Sequence, residues 1–377
     1  MAMQKKRIIL IMIVVVTLLS GVQGQDWKQY PYMPPGSLVS FPVDEGRHAE
    51  EPVEWWYISG QLTGSETGIP YSFMLSYFYD PALCYDGFRI LNLCRDDTGE
   101  FYSDAQGLIY TELGTEALDI RATLMNDTTE WWTNLRDTSE SLVPFEYELS
   151  ASALNGSIQL FTESVKNPLI LGDSGMFNQG ISSYTYYYSL TRNKVSGTII
   201  FGNTAEEVSG YAWIDKQYGN FLSETKEEYE WLSVNLSNGM DFVLWDLFTE
   251  HKQIPDTSTY RHMSIHEDSS SQFTVHDFQL ERVGYAWMPD NKLFYARKWR
   301  LQYPPMEMDL LITTLNSHAD VTLPFRFYEG ATTVTGTVNG VEVTGTGFAE
   351  LMKNYVPPEP ALMYPPGGTW KDSIRIG

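Results

Sequence analysis

The chain has 377 residues, of which 43% are hydrophobic, 14% aromatic and 19% charged, a balance that excludes disorder and coiled coil because such chains lack the aromatic and β-branched content of a packed core. Its 25 Lys and Arg stand against 48 Asp and Glu, giving a formal charge of −23. That field repels phosphate backbones and anionic headgroups, which argues against nucleic-acid partners and electrostatic membrane docking.

Lys5, Lys6 and Arg7 precede an apolar run from Ile8 to Leu19, and Val22-Gln23-Gly24 follows as a small-residue cleavage pattern. Residues 1–24 therefore read as a secretory signal peptide and the mature chain as exported, with a retained anchor as the alternative. The remaining length suits two domains, each large enough for its own core. Cys84 and Cys94, the two cysteines, lie in one loop-like stretch and are either a disulfide pair after export or two unpaired small hydrophobes.

From Glu54 to Gly347 strand patterns recur between turn signals, and no sustained helical period separates them. Val53–Leu62, Tyr71–Tyr79, Tyr184–Leu190, Thr198–Phe201, Trp231–Leu236, Phe242–Phe248, Thr332–Val338 and Val341–Thr346 are the clearest. Strands without intervening helices predict antiparallel sheets and an all-β fold of barrels or sandwiches. The Gly-rich, polar stretch Ser209 to Asn220 reads as the junction, dividing the chain into 25–215 and 216–356. Beyond Val356 the Pro-rich segment 357–377 is unsuited to a sheet interior.

Two Asn-Gly dipeptides mark hairpins. Asn339-Gly340 joins Thr332–Val338 to Val341–Thr346. Asn238-Gly239, taken as a two-residue loop, sets Trp231 opposite Asp246, Ser233 opposite Leu244 and Asn235 opposite Phe242. Alternation then gives an apolar face of Leu232, Val234, Leu236, Val243, Trp245 and Leu247. The other face is mixed: Trp231, Ser233, Asn235, Phe242, Leu244 and Asp246. The mixed face suits a ligand cavity; a solvent-facing strand is the alternative, and the glycosylation sequon Asn235-Leu236-Ser237 supports it.

The sequence carries no Gly-x-Ser-x-Gly elbow, phosphate loop, His-Glu-x-x-His or Cys-x-x-Cys. His262 and His266 have a spacing that a helix would put on one face, but loop-forming Ser, Thr and Asp surround them, so neither a metal nor another cofactor is expected. Three aromatic–carboxylate clusters remain: Glu54-Trp55-Trp56-Tyr57, Trp213-Ile214-Asp215-Lys216-Gln217-Tyr218 and Phe242-Val243-Leu244-Trp245-Asp246. Each is either packing beside a surface acid or part of a site.

Glu54–Gly60, Ala212–Gly219, Glu230–Phe248 and Phe327-Tyr328-Glu329-Gly330 with the hairpin after it resemble the AttH and carotenoid 1,2-hydratase (CrtC) family, in a wider group with kievitone hydratase and the fungal lipocalin-like Diels-Alderases. The resemblance runs in the same order from about Glu54 to Tyr355. It implies two lipocalin-like antiparallel β-barrel domains holding a small hydrophobic ligand, isoprenoid or lipid-like, in or between them. Hydratase members add water to an isoprenoid double bond, which needs a carboxyl kept neutral by desolvation and aromatic faces for the carbocation. Asp246 matches the family's acidic position and is the first candidate acid, followed by Asp215 and Glu54. Trp55, Trp56, Tyr57, Trp213, Tyr218, Trp231 and Trp245 are the candidate ligand-binding residues. Lys216 and Tyr218 depart from the His or Arg and the Trp common in the family. A non-catalytic carrier is the competing reading and a secreted hydrolase the third; nothing in the sequence sets the oligomeric state.

Overall fold

The computed structural model describes residues 27–356 apart from 81–84, 180–182, 221–226, 249–250, 255, 269–270, 289–292, 317 and 323–324. The expected leader, the Pro-rich tail and Cys84 lie outside the described residues; Cys94 is a free, buried thiol.

Alternation of side chains builds two antiparallel sheets, and no α-helix occurs among the described residues. The first sheet joins β1 (Val53–Gly64), β2 (Pro70–Tyr79), β3 (Gly87–Arg95), β4 (Glu100–Leu113), β5 (Asp119–Leu124), β6 (Thr129–Arg136), β7 (Leu142–Ala153), β8 (Gly156–Ser164), the short β9 (Leu169–Ile170) and β10 (Met176–Asn178), β11 (Tyr184–Phe201) and β12 (Thr204–Asn220). β11, which absorbs two of the expected strands, pairs with β12 on one side and with β8 on the other. This closes β1 to β8, β11 and β12 into a barrel without an open edge, while the short β9 and β10 pair only with β11.

The second sheet contains β13 (Glu228–Leu236), β14 (Asp241–Phe248), β15 (Tyr260–Asp268), β16 (Ser271–Val275), β17 (Gln279–Met288), β18 (Leu293–Tyr303), β19 (Met308–Thr314), β20 (Asp320–Val321), β21 (Phe327–Val338) and β22 (Val341–Leu351). Its path runs from β16 at one edge to β17 at the other and forms a half-barrel. The chain is thus all-β, with two lipocalin-like barrel domains. β12 runs unbroken through Asp215 to Asn220, so the sheets exchange between Asn220 and Glu228, beyond the expected division at 215/216.

Each barrel has its own core: Trp56, Ile58, Leu75 and Trp132 are in the first, and Leu232, Val234, Leu244 and Trp299 are in the second. A third apolar cluster, with Tyr57, Trp213, Trp231, Trp245, Phe327 and Phe348, lies between the domains. This explains why every residue of β14 is buried: one face fills its own barrel and the other packs on the partner domain. Polar bonds fix the junction as well. Asp241 is buried and receives Arg192 at 2.6 Å and Lys166 at 3.2 Å from the first domain. Gln61 Nε2 donates to the carbonyls of Thr332 and Gly347, both at 3.1 Å.

The hairpin at Asn339-Gly340 has the expected register, Val338 against Val341, with φ of 50° and 73° at the two loop residues. The hairpin at Asn238-Gly239 does not. Leu236 bonds to Met240 around a three-residue loop, Ser237-Asn238-Gly239, in which only Gly239 has a positive φ, of 92°. Trp231 therefore faces Trp245, and Glu230 faces Asp246. The shift by one residue moves all of β14 to the opposite face from the one expected.

Candidate functional site between the two domains

Two strand pairs, β1–β12 from the first domain and β13–β22 from the second, meet at the third cluster and set side chains in layers. On the first pair the facing residues are Trp55 with Gln217, Tyr57 with Asp215, Ser59 with Trp213, and Gln61 with Tyr211. On the second they are Trp231 with Glu350, Ser233 with Phe348, and Asn235 with Thr346. Successive residues on one face are about 7 Å apart. The interface is consequently a short ladder, with Tyr57, Asp215, Trp231 and Glu350 in its acidic layer.

In front of that layer lies a cavity of about 390 Å³ whose lining includes Trp55, Tyr57, Phe78, Phe88, Tyr229, Trp245, Phe327 and Glu350. This size and apolar, aromatic lining suit a small hydrophobic molecule. Trp55, Tyr57, Asp215, Trp231 and Trp245 also surround a small recess behind it, with Tyr187, Gln217, Tyr229 and Glu350. Trp245 Nε1 is buried without a hydrogen-bond partner among the described residues, although its ring lines the cavity.

Three carboxyls converge here. Glu350 faces Glu329 directly across β21 and β22. Tyr57 donates to Glu329 Oε1 at 2.8 Å, and Tyr229 donates to Glu350 Oε1. Burial, and then the Glu350 charge, lifts Glu329 well above the usual carboxylate range, and burial raises Glu350 also. Asp215 accepts from Tyr187 (2.5 Å), Ser189 (2.5 Å) and Trp213 (2.6 Å). Those donors favour its anion, yet burial outweighs them and pushes it up to about 7. The Trp231 indole donates to the Tyr187 hydroxyl at 2.9 Å, tying the layer across the domains.

The expected residues thus divide. Trp55, Tyr57, Asp215, Trp231 and Trp245 come together, with Trp213 one layer behind. Asp246 does not join them, because the three-residue loop turns it into the second barrel. There it meets Arg282 at 2.6 Å and Arg261 at 3.6 Å, and Arg282 is shared with Glu230 at 2.8 Å. Glu54, Trp56 and Tyr218 also leave the group, being of the opposite parity on β1 and β12. Glu54 receives Lys216, His48 Nδ1 (2.7 Å) and Arg47 (2.9 Å). Burial pushes its carboxyl up, but Lys216 and His48 together hold it below the usual value. Lys216 lies 3.8 Å from the centre of the Trp56 ring, and Tyr218 stacks between His48 and Tyr186.

His262 and His266 lie on a strand, β15, rather than in a loop. His262 bonds Ser264 at 2.8 Å, and His266 bonds Asn167 at 3.2 Å. Asn235 donates to Thr191 O at 2.8 Å and Asp241 Oδ1 at 2.7 Å, so a glycan on that nitrogen would displace both bonds.

Glu329, Glu350, Tyr187 and Tyr229 escaped the sequence reading. The Asn339-Gly340 register already set Glu329 opposite Glu350, and two acids facing across a sheet are costly enough to be a signal.

The AttH-like family model matches residues 97–355. No curated protein matches the sequence significantly. Among solved structures, a putative AttH from Nitrosomonas europaea is similar at 20% identity and a TM-score of 0.70, covering 87% of this chain and 100% of its own. Kievitone hydratase from Nectria haematococca follows at 15% identity and 0.66, covering 86% and 98%. CghA is similar at 11% identity and 0.54, covering 88% and 97%. At these identities the likeness is one of fold.

Proposed function

This chain belongs to the AttH-like family, and on that premise we propose that it binds a small hydrophobic molecule, isoprenoid or lipid-like, between its domains and hydrates or isomerises a carbon–carbon double bond by carboxylic-acid protonation. The observation that carries the reading is the Glu329–Glu350 pair, whose Glu350 lines an aromatic cavity. Two carboxyls so placed hold a shared proton, because both cannot ionise together.

In the proposed reaction Glu350, which reaches the cavity, gives its proton to one alkene carbon. The adjacent carbon becomes a tertiary cation, stabilised by the faces of Trp55, Tyr229 and Trp245. Water adds to that carbon, and its surplus proton returns to the Glu350 carboxylate. Loss of a neighbouring proton to the Glu350 carboxylate, instead of water addition, gives the isomer. Asp215 orients the Tyr187–Trp231 wall. The unpaired Trp245 N–H suits a ligand carrying one oxygen acceptor in an otherwise apolar frame.

A carrier would need the same cavity but no facing acids, which is why catalysis is the preferred reading. A hydrolase finds no support in the nucleophile motifs. Export remains part of the proposal, resting on the basic and apolar start of the sequence. Incubation with farnesol tests the activity: saturable tryptophan quenching and a product heavier by one water support it, and quenching without product favours a carrier.

A further inference from the structure

The acidic layer has a second approach, from the end of the ladder away from the ligand cavity. There Gln61, Tyr211, Asn235 and Thr346 border an open cleft of about 500 Å³, which Ser59 and Ser233 also line. It is more polar than the aromatic front cavity, because Ser59, Gln61, Ser233, Asn235 and Thr346 are interspersed among apolar residues such as Leu62, Trp213 and Leu315. A single layer separates this rear cleft from the acids, made of Ser59 facing Trp213 and Ser233 facing Phe348. Two bulky rings thus alternate with two of the smallest polar side chains, leaving the serine positions as the thin part of the wall.

Ser59 is the more telling of the two. It is fully buried, and its Oγ makes no well-formed hydrogen bond among the described residues. Its hydroxyl nevertheless lies beside the Tyr57 phenol, which donates to Glu329. A buried hydroxyl is rarely left unsatisfied unless water reaches it. Rear cleft, Ser59, Tyr57 and Glu329 therefore form a polar line into the acidic layer.

We infer that water enters the acidic layer from the rear cleft past Ser59, and not through the mouth that admits the hydrophobic ligand. This rests on the hydration reading above, for which it supplies the second substrate. An apolar ligand filling the front cavity excludes water from that side, so separate entrances let both reactants reach the acids at once. The water adds its oxygen to the cation, and its proton goes to the Glu350 carboxylate, as in the reaction above.

The test needs no substrate. Exchange of the Trp231 indole proton into D2O, followed by NMR on the ligand-free full chain, reports solvent access to the layer. Ser59→Val, which fills the thin part of the wall, is expected to slow exchange at least several-fold. Ser59→Ala leaves the space open and should exchange like the parent, as should a Met352→Trp protein, since Met352 lines the front cavity and the larger ring obstructs it. A Ser59→Val protein exchanging at the parent rate, or Met352→Trp slowing exchange as much as Ser59→Val, overturns the inference. Melting curves establish that each variant is folded; if Ser59→Val is not, Ser233→Val carries the same expectation. Farnesol hydration is measured separately. Hydration with unaltered exchange in Ser59→Val would leave the hydratase reading standing and remove the rear entrance, whereas slowed exchange without farnesol turnover would do the reverse.

Discussion

Glu329 and Glu350 stand directly opposite each other on β21 and β22, with a tyrosine from each domain bonded to the pair: Tyr57 to Glu329 and Tyr229 to Glu350. Facing acids weaken a sheet unless a proton is shared between them. Glu350→Gln should therefore leave the melting temperature unchanged or higher while lowering turnover by about 100-fold or more, the usual contribution of a general acid. Affinity should stay within a few fold, since the amide keeps the shape. Calorimetry with single-turnover mass spectrometry checks both; parental turnover in this variant would remove the acid from the mechanism.

Asp215 gives a pH prediction with a definite sign. Its carboxyl is raised by burial to about 7 in the fold, against about 3.9 in an unfolded chain. Between those values the native state holds the extra proton, so this group's contribution to stability is full below about pH 4 and is lost as pH rises through 7. Asp215→Asn should cancel that slope. Urea unfolding of both proteins from pH 5 to 8 should show the variant gaining on the parent by up to a few kcal/mol toward alkaline pH, and parallel curves would contradict the assignment.

Trp245 should discriminate ligands by polarity. Its ring lines the cavity and its buried N–H has no partner among the described residues, so if the ligand's oxygen takes up that N–H, Trp245→Phe should weaken binding of farnesol by roughly 3- to 10-fold, the worth of one hydrogen bond. Farnesene, the hydrocarbon counterpart, should be affected much less. Titration calorimetry with the two probes distinguishes this from a simple loss of ring area, which would weaken both alike.

Asp246 is predicted to matter for stability. Its removal would leave the buried Arg282 with Glu230 as its one remaining carboxylate among the described residues, and breaking a buried pair costs about 3–5 kcal/mol. Asp246→Ala should lower the unfolding free energy by that amount while the folded fraction binds farnesol as the parent does. Lost chemistry with full stability would instead restore Asp246 as a candidate acid.

The contrast between Asp246 and Asp215 shows where sequence reading stopped. The same Asn-Gly dipeptide encodes a two-residue loop at Asn339, where both residues have positive φ, and part of a three-residue loop at Asn238, where only Gly239 does. Composition does not separate these, and one residue of slip exchanges the faces of a strand. Alternation did reveal the all-β class, both hairpins and half of the aromatic wall. The recess behind the cavity joins residues near positions 57, 187, 215, 231 and 350, and a meeting of two domains leaves no periodic trace in either one. The clearest missed sign was electrostatic: two acids placed opposite by a correctly read turn.

The two walls of the cavity differ in how freely they can change shape. β11 zips the first barrel shut through both β12 and β8, so a displacement on that side must be passed around a complete ring of hydrogen bonds. The second sheet ends at β16 and β17 and can flex or splay without breaking a circuit. Adaptation to a bulkier or more slender ligand would accordingly fall to the β14 and β22 side, with the Asp215 side as the fixed jaw against which new shapes are selected.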